Sequence, residues 1–102
     1  MAIAAIEKNE STLNVCPEGR LDTVRAPQLD KELQPHLAGV SQIVMDFSKV
    51  EYVSSSGLRL LIWLEQKMED EGGEVQVINA NQNVLKIFEL AGFMNVVHVI
   101  TD

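Results

Sequence analysis

Ser54, Ser55 and Ser56 follow an apolar, strand-like run and precede Gly57-Leu58, where a helix is predicted to begin. Hydroxyls in that position can do three kinds of chemistry. They can cap the four backbone N–H groups that a helix start leaves without partners. Once phosphorylated, they can hold the phosphate against the partial positive charge of the same helix end. They can also act as a nucleophile, but a hydrolase elbow needs glycine two places before the serine as well as two after it. Ser55 has Gly57 after it and Val53 before it, so the hydrolase reading lacks half of its motif.

The other chemistry-bearing residues are sparse. Asp22 stands ahead of the first predicted helix, where a carboxylate can cap the turn or face a partner. On a helical wheel Trp63 falls with Arg59, Gln66 and Asp70, opposite the apolar stripe of the same helix. An exposed Trp beside Arg is a common interface anchor, which extends the candidate partner surface from Ser56 past Arg59 to Trp63. His36 and His98 are isolated and Cys16 is the single cysteine, so no metal site is expected and no cofactor is implied. Glu65, Glu69, Asp70 and Glu71 read as a solvated helix face, Asp46 and Ser48 as turn residues, and Gly72-Gly73 as a helix stop rather than a phosphate loop.

Periodicity defines the elements that must position these groups. Residues 2–8 and 12–18 alternate as strands around the polar turn Asn9-Glu10-Ser11, predicting an N-terminal hairpin. Gly19-Arg20-Leu21-Asp22 is then expected to leave the sheet. Leu29, Leu33 and Leu37 are spaced for a short helix from about Arg25, with Pro35 tightening or ending its last turn. The nearly continuous apolar run from Gln42 to Phe47 predicts a strand buried on both faces. From about Ser56 to Asp70 a second helix buries Gly57, Leu61, Leu64 and Met68, flanked by Leu58 and Leu60. Residues 74–78 alternate as a strand. Asn81 to Ala91 predicts a third helix burying Val84, Leu85, Phe88 and Ala91, and residues 96–100 close as a short strand. Strands alternating with helices of this length imply an α/β fold with a mixed, mainly parallel sheet.

Composition narrows the partners. A chain of 102 residues builds one core, so 1–102 reads as a single domain. Its formal charge of −7 opposes binding to nucleic acid or anionic membrane and favours a partner with a basic face. No stretch approaches the roughly 20 apolar residues of a membrane span, and the N-terminal apolar run lacks the basic flank of an export signal. A cytoplasmic setting follows, with which the lone cysteine agrees.

Three stretches taken together resemble one known family. Gly19-Arg20-Leu21-Asp22, Asp46-Phe47-Ser48-Lys49-Val50 leading into Val53-Ser54-Ser55-Ser56-Gly57-Leu58, and Val84 to Phe93 stand in the order and spacing of the STAS domain, found in sulfate transporter tails and bacterial anti-sigma factor antagonists. The resemblance implies a stand-alone antagonist. In its unmodified form such a domain binds an anti-sigma factor that is also an ATP-dependent serine kinase of the histidine-kinase-like ATPase fold, and so frees a sigma factor. The kinase phosphorylates the serine before Gly-Leu, the complex separates, and a metal-dependent serine phosphatase resets it. By motif the acceptor is Ser56, with Ser55 beside it, and Asp22 matches an acidic position resembling a kinase-contacting or positioning residue. Asp22, Ser54, Ser55, Ser56, Gly57, Arg59 and Trp63 thus form the expected partner surface, and self-association stays open.

One position departs from the family pattern. Antagonists commonly carry an acid two places before the acceptor, and this chain has Ser54. That change would alter kinase placement or make Ser54 a competing acceptor. It also keeps a second reading open: a STAS interaction or scaffold domain, never phosphorylated, in a larger regulatory or transport assembly.

Overall fold

The computed structural model describes residues 2–101. The chain opens with antiparallel strands β1 (Ala4–Asn9) and β2 (Thr12–Leu21), and the hairpin turn carries Glu10 at φ 56°. β2 is the longest strand and has two partners on its other edge. Its first half pairs in parallel with β3 (Gln42–Asp46), its second half in parallel with β4 (Lys49–Val53). β5 (Val75–Ile78) and β6 (His98–Val99) extend the sheet beyond β3, again in parallel. The expected mixed, mainly parallel sheet with an antiparallel hairpin at one edge is present.

Gly19-Arg20-Leu21 does not leave the sheet, as the sequence reading expected; it is the end of β2 paired with β4. The pairing slips there: Gly19 faces Val50 but Arg20 faces Tyr52, so Glu51 is an extra residue on β4. This bulge lets Val50 and Val53, three residues apart, both enter the core, which a regular two-residue repeat forbids. It also sets the Arg20 guanidinium 4.4 Å from the centroid of the Tyr52 ring.

Three helices pack with the sheet: α1 (Arg25–Leu33), α2 (Ser55–Asp70) and α3 (Gln82–Leu90). α1 stops at Leu33 and passes into a 3-10 turn over Gln34–His36, which is where Pro35 tightens the chain. α2 buries Gly57, Leu61, Leu64 and Met68 as its spacing predicts, with Glu65 also buried. α3 buries Val84 and Phe88, while Leu85 is only half-buried and Ala91 is exposed past its end. A further 3-10 turn at Phe93–Asn95 shortens the last strand and inserts Phe93 beside Phe88, ring centroids 4.9 Å apart.

The core is one continuous cluster in which Leu13 and Val15 of β2, Ile43 and Met45 of β3, and Val75 and Val77 of β5 meet Leu29, Leu33, Leu61, Leu64 and Met68 of the helices. The alternate residues Asn14, Cys16, Val44, Gln76 and Ile78 are only partly buried. β3 is therefore buried on one face and not on both, because the helices that cover Ile43 and Met45 leave the side of Val44 open. The ends of β2 and β4 and the starts of α1 and α2 meet at one corner of this frame.

Candidate functional site

At that corner a single carbonyl organises two loops. Leu21 O accepts a hydrogen bond from Ser54 N at 2.9 Å and a second from the Ser54 hydroxyl at 3.1 Å. Ser54 is extended (φ −88°, ψ 177°), and its Oγ in turn accepts from Ser56 N at 3.2 Å, which makes it the N-cap of α2. The hydroxyl thus works in both directions, a role a carboxylate ionised at neutral pH cannot fill because it has no proton to give. Ser54, standing where the family pattern has an acid, keeps the cap and adds a bond to β2.

Gly57 fixes how closely α2 approaches. It is buried, and a β-carbon built on it would lie 2.8 Å from Val53 Cγ1, 2.9 Å from Leu21 O and 3.2 Å from Leu21 Cβ. Only hydrogen fits in that space. Gly57 was expected on the partner surface; the structure places it inside, where it positions its neighbours and is not available for contact.

Asp22, the next residue after Leu21, holds the turn that leads into the other helix, whose N-cap position is Val24. Its Oδ1 accepts from Val24 N at 3.1 Å and Arg25 N at 3.0 Å, and its carbonyl receives Ala26 N at 2.9 Å. These bonds, the Arg25 amide first and then Val24, hold its carboxyl below the usual aspartate range. These bonds are the turn role that the sequence offered for Asp22 beside a partner contact. The starts of α1 and α2 are consequently tied to two adjacent residues, Asp22 just past the end of β2 and Leu21 at that end.

Between the two helices runs an open surface groove of about 460 Å³, lined by Ala26, Pro27 and Asp30 of α1 and by Ser56, Arg59, Leu60 and Trp63 of α2. Its lining is mostly apolar. Ser56 is half-buried in the groove wall and Ser55 beside it is exposed. Trp63 is 44% exposed, and the cation over its ring is not Arg59 but Lys67, 5.8 Å from the centroid and one turn beyond the ring. Ser56, Leu60 and Trp63 stand at i, i+4 and i+7, so their shared face was legible in the sequence. The contribution of α1 was not: Ala26, Pro27 and Asp30 join the site only because α1 follows β2 and α2 follows β4, the strand paired beside the end of β2. Val24, 73% exposed on the Asp22 turn, is a further apolar residue of this corner that spacing alone could not single out.

The remaining titratable groups lie elsewhere. His98 Nδ1 is 3.2 Å from Glu74 Oε2, and His36 is exposed in the turn after α1, so neither stands beside the serines as a base. Asp46 Oδ1 accepts from Ser48 N and from Asn79 Nδ2, the turn role expected of it. A larger cleft on the other side of Asp22 mixes Glu18, Glu51 and Asp22 with Arg20, Arg25 and Lys49, so its charges balance. Among the described residues no group of three or more His, Cys, Asp or Glu could hold a metal ion, and no helix is long and apolar enough to cross a membrane.

The sequence and fold can be set beside known proteins. Anti-sigma factor antagonist BtrV of Bordetella bronchiseptica, so named putatively, is 27% identical over 92 residues, which cover 89% of this chain and 79% of the relative. The anti-sigma-B factor antagonist of Staphylococcus aureus is 26% identical over 82 residues, 79% of this chain and 76% of that one. Among solved structures, the Bacillus anti-sigma factor antagonist SpoIIAA in its unphosphorylated form superposes with a TM-score of 0.82 at 20% identity, covering 97% of this chain and 89% of its own; its phosphorylated form gives 0.72. The family model described as Mlab, STAS domain matches residues 4–100, so nearly the whole chain, including both helix starts and the groove between them, belongs to the STAS domain family.

Proposed function

We propose that this chain is an anti-sigma factor antagonist, a binding module and not an enzyme, switched by phosphorylation of Ser56. Unmodified, it holds an anti-sigma factor that is also a serine kinase and so releases a sigma factor. Phosphorylated, it lets go, until a metal-dependent serine phosphatase restores it. The reading carries a cytoplasmic setting with it, since sigma factors act there.

One observation carries the reading: Ser56 stands in the wall of an apolar groove that also presents Trp63, on a helix start held to β2 by Ser54 and Gly57. A docking surface and a modifiable hydroxyl therefore coincide on a rigid frame. Ser55, Ser56, Arg59 and Trp63 make the contact in this reading, while Asp22, Ser54 and Gly57 hold the contact surface in shape. The names of the relatives, antagonists of anti-sigma factors, point the same way.

Electrostatics is sufficient for the release. A phosphate brings about −1.5 to −2 charges, and a partner carboxylate about 5 Å away would be repelled by roughly 3 kcal/mol per unit charge at an effective dielectric near 20. That is about a hundredfold in affinity. The frame itself need not move, because the helix start tolerates an anion.

The scaffold reading drew its support from Ser54. Ser54 supplies the cap that an acid would supply, and its hydroxyl is engaged on both sides, which supports the switch over the scaffold and Ser56 over Ser54 as its acceptor. Incubation with the cognate kinase and ATP, followed by intact-mass and fragment analysis, tests the proposal. One phosphate on Ser56, absent in Ser56→Ala, is expected; a protein that gains no phosphate, or gains it elsewhere, overturns it.

A further inference from the structure

Arg59 is the one cationic side chain among the groove's lining residues, and it stands three residues after Ser56 on the same helix. Among the described residues it makes no hydrogen bond or ion pair; the one ion pair within 4 Å in that set is His98 with Glu74. Asp30 faces the groove from α1 but does not pair with Arg59, and its Oδ1 accepts from Gln34 Nε2 at 2.8 Å along its own helix. Arg59 thus holds five N–H donors in reserve beside the switch residue.

Helix geometry sets where those donors go. Side chains at i and i+3 are neighbours, with β-carbons about 5–6 Å apart. Each Cα–Cβ bond also tilts toward the helix N-terminus, so a long side chain at 59 covers the turn that contains Ser55 and Ser56. A phosphate on Ser56 and the guanidinium of Arg59 would then meet over the groove, in the planar bidentate geometry that arginine forms with phosphate.

We propose that Arg59 is an internal latch for phosphorylated Ser56, folding the phosphate down across the groove between α1 and α2. The latch rests on Ser56 being the acceptor. In the step that creates its ligand, Ser56 Oγ attacks the γ-phosphorus of kinase-bound ATP; the new O–P bond forms as the bond from phosphorus to the β–γ bridging oxygen breaks. ADP leaves and the hydroxyl proton passes to base. The modification then changes the surface twice over. It adds an anion and withdraws the groove's cation from any carboxylate of the partner, while the paired groups obstruct the apolar floor formed by Leu60 and Ala26.

The charged groups that line the groove with Ser56 are Arg59 on its own helix and Asp30 on α1. The carboxylate opposes ionisation of the phosphate and Arg59 favours it, which makes the second pKa of the phosphate a direct report on the latch.

The test needs no kinase. Phosphoserine is installed at position 56 by genetic encoding, in the parent and in Arg59→Gln, and each protein is titrated by phosphorus NMR. The second ionisation, near pH 6 for a free phosphoserine, is expected about half a pH unit lower in the parent than in Arg59→Gln, roughly a threefold difference in proton affinity. The Arg59 Hε signal should also move when the parent's own phosphorylated and unmodified forms are compared, a measurement that does not depend on the variant folding. Coincident titration curves, or an unmoved Hε signal, overturn the latch. Because the phosphate is placed without a kinase, a kinase that ignores Ser56 would sink the proposed function and leave this test standing, and coincident curves would sink the latch and leave the function standing.

Discussion

Gly57→Ala offers the sharpest check on how the switch residue is held. The added methyl carbon would sit 2.8 Å from Val53 Cγ1 and 2.9 Å from Leu21 O, and one of those neighbours is backbone that cannot rotate away. Overpacking of this kind costs about 1–3 kcal/mol. Alanine recovers up to about 1 kcal/mol of helix propensity, less in a first turn. Relief requires α2 to lift away from β2, and the same movement stretches the two bonds from Ser54 to Leu21 O, each contributing about 1 kcal/mol. The net expectation is a loss of about 2 kcal/mol, or a Tm lower by about 8–16 °C for a domain of this size. Urea unfolding should show a lower midpoint at an unchanged slope, since the surface exposed on unfolding is the same. Because the lifted turn carries Ser56, phosphorylation at that residue should slow as well. A variant as stable as the parent, or more so, would refute the claim that the start of α2 is seated on Leu21.

Three further perturbations separate the remaining ideas. Ser54→Asp keeps a competent cap but cannot donate to Leu21 O, so helix content should hold while stability falls by about 1 kcal/mol in urea; a gain would show that this bond contributes nothing. Trp63→Ala, at an exposed position, should leave Tm within about 2 °C of the parent yet weaken binding of the anti-sigma partner about thirtyfold or more in calorimetry, and parent-like affinity would remove Trp63 from the interface. Glu65 accepts from Val75 N at 2.7 Å in a buried setting, and burial, with Glu69 and Glu74 adding to it, pushes its carboxyl above the usual glutamate range. The folded state therefore binds more protons than the unfolded one between the unfolded pKa near 4.5 and the raised folded pKa, so this group's contribution to stability declines as pH climbs through that window. Glu65→Gln keeps the acceptor, and should raise Tm at pH 7 and abolish that decline; an unchanged pH profile would show that Glu65 titrates as if unfolded.

Much of this architecture is written locally. The hairpin, the stripe of α2 and the caps at Ser54 and Asn81 follow from alternation, helical spacing and short polar side chains beside them. What escaped were features decided by distant partners. β4 showed only as a strand-like run before the serines, because the bulge at Glu51 places Val50 and Val53 on the same side and breaks the alternation that Lys49 to Tyr52 begin. The end of β2 read as a departure from the sheet because Gly19 and Arg20 look like a turn until β4 arrives to pair with them. Val44 counts as apolar in sequence, but only the packing of the helices on the opposite face decides that it stays half open. At the site, Ser56, Arg59 and Trp63 were visible as positions on one helix, whereas the wall contributed by Ala26 and Pro27 depends on two helices leaving the paired ends of β2 and β4.

The extra residue in β4 has an evolutionary side. Side chains along a strand alternate, so removing Glu51 would leave Val50 and Val53 two residues apart, the spacing at which an unbulged strand turns both into the core, and Ser54 would still follow an inward Val53. Replacing Glu51 with another residue keeps the bulge and the same outlook. Descendants of this chain are free to respell the segment between Lys49 and Ser54, and even to lose its unpaired residue, and still be switched.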